Sequence, residues 1–152
     1  MPAIQTDTIP ALTVCQPYAS LLLLPHSHPD AKKIENRVWY LDYRGPLAIH
    51  AGKATNWLAT YGKPLPKFML FGYILGVVDV VECFRYVDIA AARVPSEFAW
   101  TRIHIHAEGP WCIVCTNPRP LAEPIPYRGA QKLWRVPREL VASVLDAEHA
   151  AR

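Results

Sequence analysis

Glycine is scarce in this 152-residue chain, with 7 residues against 15 prolines. A glycine-rich phosphate cradle is absent. HAGKAT (50–55) carries a Gly-Lys pair but not the earlier glycine of a P-loop. No G-x-S-x-G elbow occurs either. These absences exclude P-loop nucleotide hydrolysis and an elbow-type serine hydrolase. Long apolar runs are missing too. The tetraleucine Leu21–Leu24 is far shorter than the roughly 20 residues that cross a bilayer. The opening MPAIQTDTIP has neither a basic nor an apolar leader region. A soluble, cytoplasmic protein with no membrane partner is therefore expected, with its four cysteines reduced. No internal repeat is present.

What is there points to one domain over 1–152, with its core at about 11–140. Hydrophobic residues make up 51% of the chain, enough for a real core. Abundant proline breaks long helices and favours short elements with many corners. ALTVC (11–15) reads as a buried strand, and QPYASLLLL (16–24) as a helix with Pro17 in its first turn. KIENRVWYL (33–41) alternates roughly, with Ile34, Val38 and Tyr40 on one side, and PLAIHA (46–51) is the next strand. KATNWLATYG (53–62) reads as a short helix closed by Gly62. GYILGVVDVVECFRYV (72–87) is the strongest strand signal, rich in β-branched residues. DIAAARVPSEFAW (88–100) starts helical and turns irregular after Pro95. TRIHIHAEG (101–109) and PWCIVCTN (110–117) read as a hairpin, and the proline-rich run from Pro118 as a connection. LWRV (133–136) is a last strand before a C-terminal helix from Pro137. Six or seven short strands without regular helical crossovers argue against a doubly wound sheet. They fit an α+β fold with a small, curved or barrel-like mixed sheet and flanking helices. Leu12, Val14, Leu47, Ile49, Ile74, Val77 and Ile113 should face its interior.

Cys112 and Cys115 invite a metal reading. On a strand, however, residues three apart face opposite ways, while a structural zinc needs four ligands close together. Buried thiols are expected, with no metal and no cofactor. His26 and His28 read as loop residues.

Charge is uneven. The whole chain carries +3, yet Lys32–Lys53 alone holds five basic and two acidic residues, and Arg119–Arg138 holds five and one. Two basic segments on an otherwise acidic chain make a basic face if the fold joins them. On a strand, Glu35 and Arg37 share a face, and Lys32 lies three residues before Glu35. A carboxylate beside an arginine can be held ionised, and a nearby lysine can clamp charge or, desolvated, act as a base. Trp39, Tyr40 and Tyr43 are candidates for stacking on bases. The same residues also suit a surface ion pair with a core tryptophan.

Five stretches settle on a family. LTVCQPYASLLL, KKIENRVWY, YRGPLAIHAGK, YILGVVDVVEC and CIVCTNPRPLAEPIPYRGAQKLWRV together resemble the activating signal cointegrator homology (ASCH) domain. Its motifs Q-P-x-A-S, K-x-x-E-x-R and R-G-x-L-x-I-x-A are specific in combination. The resemblance implies a PUA-like barrel and a cleft suited to RNA, DNA or a modified nucleoside. Matching positions are Gln16 and Ser20, then Lys32, Glu35 and Arg37, then Arg44 with His50 or Lys53. A nucleic-acid module, with single-stranded RNA or a nucleotide as partner, would use Lys32, Arg37, Arg44 and Lys53 on phosphates. Arg128, Lys132 and Arg135 would extend the path, and Trp39 or Tyr40 would stack. A hydrolase is the alternative, with Lys32, Glu35 and Lys53 as its catalytic groups and Glu82 as a second acid. Similar amidohydrolases carry K-x-x-T-x-R, and Glu35 stands at the threonine position, which removes that nucleophile. In a metal-free ribonuclease, Lys53 or His50 would take the proton while Arg37 or Arg44 steadies the phosphate. A transcription-associated interaction module is the third reading.

Overall fold

The computed structural model describes residues 7–145. Strands β1 (Thr8–Val14), β2 (Ile34–Arg37), β3 (Gly45–Ala51), β4 (Tyr73–Arg85), β5 (Trp111–Pro126) and β6 (Leu133–Pro137) form one sheet in the order β2-β5-β4-β3-β1-β6. β1 and β3 run parallel, and the remaining pairs are antiparallel. Helices are short: α1 (Tyr18–Leu22), α2 (Tyr86–Ala90) and α3 (Ala142–Leu145), with 3-10 turns at Ser96–Ile103 and Arg138–Val141. The fold is α+β, and its mixed sheet matches the PUA-like expectation. No strand pairing among the described residues closes the sheet. The edge strand β2 nevertheless approaches β1, the strand next to the opposite edge: Arg37 Nη2 on β2 donates to the Thr13 carbonyl on β1 at 2.9 Å.

Strand alternation sorts the core onto two faces. Leu12, Val14, Leu47, Ile49, Val78 and Ile113 pack on one side with Leu22 of α1. Their neighbours Ala11, Ala48 and Val77 pack on the other with Ile74, Val136, Val141 and Leu145. All seven residues expected in the interior are buried. Ile74 and Val77 belong to the second face, under the C-terminal segment, rather than to the curl of the sheet.

Several sequence expectations are corrected. β1 begins at Thr8, ahead of Ala11. β2 stops at Arg37, so Val38 and Tyr40 are exposed instead of sharing a face with Ile34. Residues 53–62 form turns and no helix. A helix this short needs an apolar face packed on something, and Trp57 is 47% exposed. The histidine segment is not a strand. The edge of β5 that it would have occupied is taken by β2, which pairs Ile34–Arg37 with Val114–Trp111. The proline-rich run is strand. β5 continues to Pro126, pairing with β4 on one side only. β2 covers the other side just over 111–114, so the missing N–H groups of Pro118, Pro120 and Pro124 fall where an edge tolerates them. The C-terminal helix is present as α3, and its expected continuation lies outside the described residues.

β4 and β5 cross closely at Gly76. A Cβ placed there would lie 2.4 Å from the Arg119 carbonyl oxygen and 2.4 Å from Leu23 Cδ1. The carbonyl belongs to a paired strand and cannot swing away. Gly76→Ala is expected to cost about 1–3 kcal/mol or more, as overpacking does. A lower urea midpoint with an unchanged slope would be the reading.

Candidate functional site

Three charged side chains meet where β2 faces β1. The Lys32 ammonium lies 2.6 Å from Glu35 Oε1, and Arg37 Nη2 lies 2.8 Å from Glu35 Oε2. Lys32 also donates to the Ile34 carbonyl. Local structure explains the meeting. Glu35 and Arg37 are two apart on one strand, so they share a face. Lys32 is tied in just before the strand by its N–H to the Leu21 carbonyl of α1. The Lys32 and Glu35 side chains are only 4% and 10% exposed. Burial alone pushes the Glu35 carboxyl up, but the Lys32 and Arg37 charges and their hydrogen bonds outweigh it and hold the group below its ordinary range. Glu35 is therefore a carboxylate with both oxygens bound to cations.

This cluster opens into a cavity of about 470 Å³. Thr13, Tyr18, Asn36, Trp57, Tyr61 and His106 contribute to its walls. Tyr18 is the hub of the aromatic side. It meets Trp57, Tyr61 and His106 edge-on at centroid distances of 6.5, 6.0 and 6.0 Å, and the Lys32 Nζ sits 5.6 Å from its ring centre. The charged lining is three basic residues, Lys32, Arg37 and Lys63, against Glu35 and Glu108. Lys32 uses two of its three N–H groups on protein acceptors, and the Arg37 Nε is buried with no partner. The cavity thus offers hydrogen-bond donors beside aromatic rings, the pattern that holds a planar polar ring.

Of the residues named from sequence, Lys32, Glu35 and Arg37 come together here. The others lie elsewhere. Gln16 is fully buried and bridges the Leu70 carbonyl and the Ser20 N–H. Ser20 lines a second, largely apolar cavity with Leu24, Pro64, Phe68 and Pro124. Trp39 packs against the first core cluster. Arg44 spends its guanidinium on Glu82 and on the Leu41 and Tyr43 carbonyls, so Glu82 is equally engaged outside the cavity. Lys53 and Arg128 are exposed and line neither cavity. His50 is 2% exposed. Its Nδ1 faces the Thr13 hydroxyl at 3.2 Å and its Nε2 the Tyr127 carbonyl at 2.7 Å. Burial lowers its pKa first, with Lys53 adding to that against the Tyr127 hydrogen bond. A neutral ring fixed this way supports β1 behind the cavity.

The second basic stretch does not reach this cavity, since no residue of 119–138 lines it. Arg119 is buried against Asp79, and Arg135 is bound to the Thr8 hydroxyl and carbonyl. The cysteines behave as buried thiols on opposite faces: Cys115 joins the first core and Cys112 a third cluster with Ile34 and Ile89. Burial pushes their thiols up to about 12 and about 11.

Sequence reasoning missed Tyr18, Trp57, Tyr61 and His106. Tyr18 stood inside the quoted Q-P-x-A-S stretch. Trp57 and Tyr61 fall in the segment whose sequence reads as a short helix, and His106 in one that reads as a strand.

No family model matches the chain. It is similar to activating signal cointegrator 1 of Homo sapiens and of Mus musculus, each 29% identical over 138 residues, with 82% of this chain covered. The chain spans 22% of the length of these relatives. An α+β fold with a mixed sheet and a buried Lys-Glu-Arg cluster is the class of protein at hand. This similarity agrees with the resemblance of the motifs above to the ASCH domain.

Proposed function

We propose that this chain binds nucleic acid or a nucleotide by accepting one base into the cavity beside Lys32, Glu35 and Arg37. The observation that carries the reading is the pairing of a buried, ionised cluster with an aromatic wall across 470 Å³ of space. A planar base can lie against Tyr18, Trp57 or Tyr61 while its polar edge meets the Lys32 and Arg37 donors. Single-stranded RNA is the favoured polymer, because its unstacked bases can be splayed into such a pocket. Similarity to a protein named as a signal cointegrator agrees with a nucleic-acid or transcription-linked role. The weight falls on base capture more than on a broad basic face, because the cavity lining carries only one more basic than acidic residue. All four cysteines are free thiols, which suits a cytoplasmic setting. No helix among the described residues is long and apolar enough to cross a membrane.

Trp57 gives the cleanest test, because it is half-exposed and its removal spares the core. Base stacking on one aromatic side chain contributes about 1–3 kcal/mol. Trp57→Ala should therefore weaken binding of a mixed-sequence RNA oligonucleotide roughly 5- to 150-fold, measured by fluorescence anisotropy. Unchanged affinity, or no binding by the unaltered protein, would sink the proposal. Mass spectrometry of the same mixtures in EDTA reads turnover. Product that Lys32→Met abolishes would replace binding with hydrolysis as the function.

A further inference from the structure

The cavity holds a polar atom that the protein itself does not use. His106 is 8% exposed, lines the cavity, and its Nε2 is buried without a hydrogen-bond partner. Buried polar atoms are nearly always paired, so an orphan at a cavity wall asks for a partner in the cavity. The residue is also held firmly. Asn36 Nδ2 donates to the His106 carbonyl at 2.7 Å, and Asn36 Oδ1 accepts the N–H groups of Glu108 and Gly109 at 2.9 and 2.8 Å. Asn36 sits on β2 between Glu35 and Arg37, so the strand that carries the charged cluster also sets the histidine loop. The ring itself is wedged edge-on between Tyr18 and His104, at 6.0 and 5.4 Å.

Resting on the base-capture reading, we propose that His106 is a specificity-determining residue, whose Nε2 hydrogen-bonds the polar edge of the bound base and so selects among bases. Lys32 and Arg37 offer only donors. An imidazole nitrogen can donate or accept according to tautomer, so His106 can match a base-edge donor or acceptor where the two cations can only donate. The ring stays neutral at physiological pH. Burial first, then Lys32 and Lys63, push its pKa down to about 4 against the opposing pull of Glu35 and Asp30. A neutral group reads hydrogen-bond pattern without adding a further positive charge to the three basic residues of the pocket. A site built to pair a ligand's polar group rejects analogues lacking it far more strongly than an apolar wall does.

The test compares the four ribonucleoside 5′-monophosphates, by calorimetric affinity, for the unaltered protein, His106→Phe and His106→Gln. The unaltered protein should prefer one base. His106→Phe keeps the ring volume and loses the nitrogen, and should bind the preferred nucleotide about tenfold or more weaker while the others hold. His106→Gln places an amide near the same position and should recover part of the preference. In the unaltered protein, the His106 Nε2 resonance in a ¹⁵N spectrum should move on adding the preferred nucleotide and stay nearly still with the others. That readout does not depend on either variant folding. A clear preference that survives in His106→Phe, or an Nε2 resonance that ignores the preferred nucleotide, overturns the role of His106 alone. No binding of any of the four by the unaltered protein, together with none of the RNA oligonucleotide, overturns this role and base capture together.

Discussion

Glu35→Leu should destabilise the fold by about 3–5 kcal/mol, the cost of leaving a buried charge without its partner. The Lys32 side chain is 4% exposed, and Glu35 is the acidic group in contact with it. Removing the carboxylate leaves an ammonium with a backbone carbonyl and an aromatic ring for company. Arg37 suffers less, because it keeps the Thr13 carbonyl and 23% of its surface. The double variant Lys32→Met/Glu35→Leu should recover most of the loss, since replacing both members of a buried pair by apolar groups is often neutral. Urea unfolding of the two single variants and the double closes the cycle. A loss below about 1 kcal/mol for Glu35→Leu would mean that Lys32 finds water in the cavity and that the pair is not needed for folding.

The same substitution has a pH signature. The folded Glu35 pKa lies below its ordinary value of 4.5. A depressed carboxylate contributes stability that is fully present above the ordinary value and is lost as pH falls through the folded one. His104 and His106 act in a different window. Burial first, and neighbouring cations next, push both to about 4 from 6.5. The unfolded chain then binds more protons between those values, so stability already declines as pH drops below 6.5. Glu35→Leu should therefore flatten the acid limb below about pH 4.5 and leave the decline between 6.5 and 4.5 in place.

How much of this was legible depends on sequence distance. The buried cluster could be read because its members are within six residues and alternation alone puts Glu35 and Arg37 on one face. Strand β4 announced itself through its β-branched run. All seven expected interior residues are buried, because apolar alternation is a local property, but Ile74 and Val77 pack on the opposite face of the sheet. What failed was non-local. Nothing near Arg44 says that Glu82, on another strand, will occupy its guanidinium, and nothing near His50 names Thr13 and Tyr127 as its partners. Those residues looked free because their partners lie 37 to 77 positions away. The proline-rich run misled for a related reason. Proline forbids a central strand but not an edge, and whether β5 is an edge there depends on how far β2 extends. The aromatic wall was invisible because Trp57 and Tyr61 reach the cavity from an irregular segment, where spacing carries no facing rule.

Arg119 shows the same lesson at its largest, and carries the second large prediction. By composition it opens a basic stretch. In the fold it is 2% exposed and spends its whole head group on structure. Its Nη2 pairs with Asp79 Oδ1 at 3.0 Å, its Nη1 donates to the Asn117 carbonyl at 2.7 Å, and its Nε donates to the Val144 carbonyl at 2.7 Å. One side chain thus joins β4, β5 and α3. Asn117 adds a second donor to Asp79 at 3.1 Å, and the Asp79 side chain is 30% exposed, so some of its charge remains solvated when the arginine goes. Arg119→Ala should then cost about 3 kcal/mol, the lower end of the range for breaking a buried pair. The loss should not be spread evenly. α3 holds on through its own Leu145, through Val141 of the preceding 3-10 turn and through the Val144 carbonyl contact, so amide exchange at 142–145 should speed up beyond what the global loss accounts for. Arg119→Lys keeps the charge but not the fork. It should restore the Asp79 pair and leave the Val144 carbonyl unbound, recovering global stability while α3 still exchanges fast. Equal protection of α3 in both variants would show that apolar packing alone anchors the C-terminal segment, and that the charge on Arg119 serves only β4 and β5.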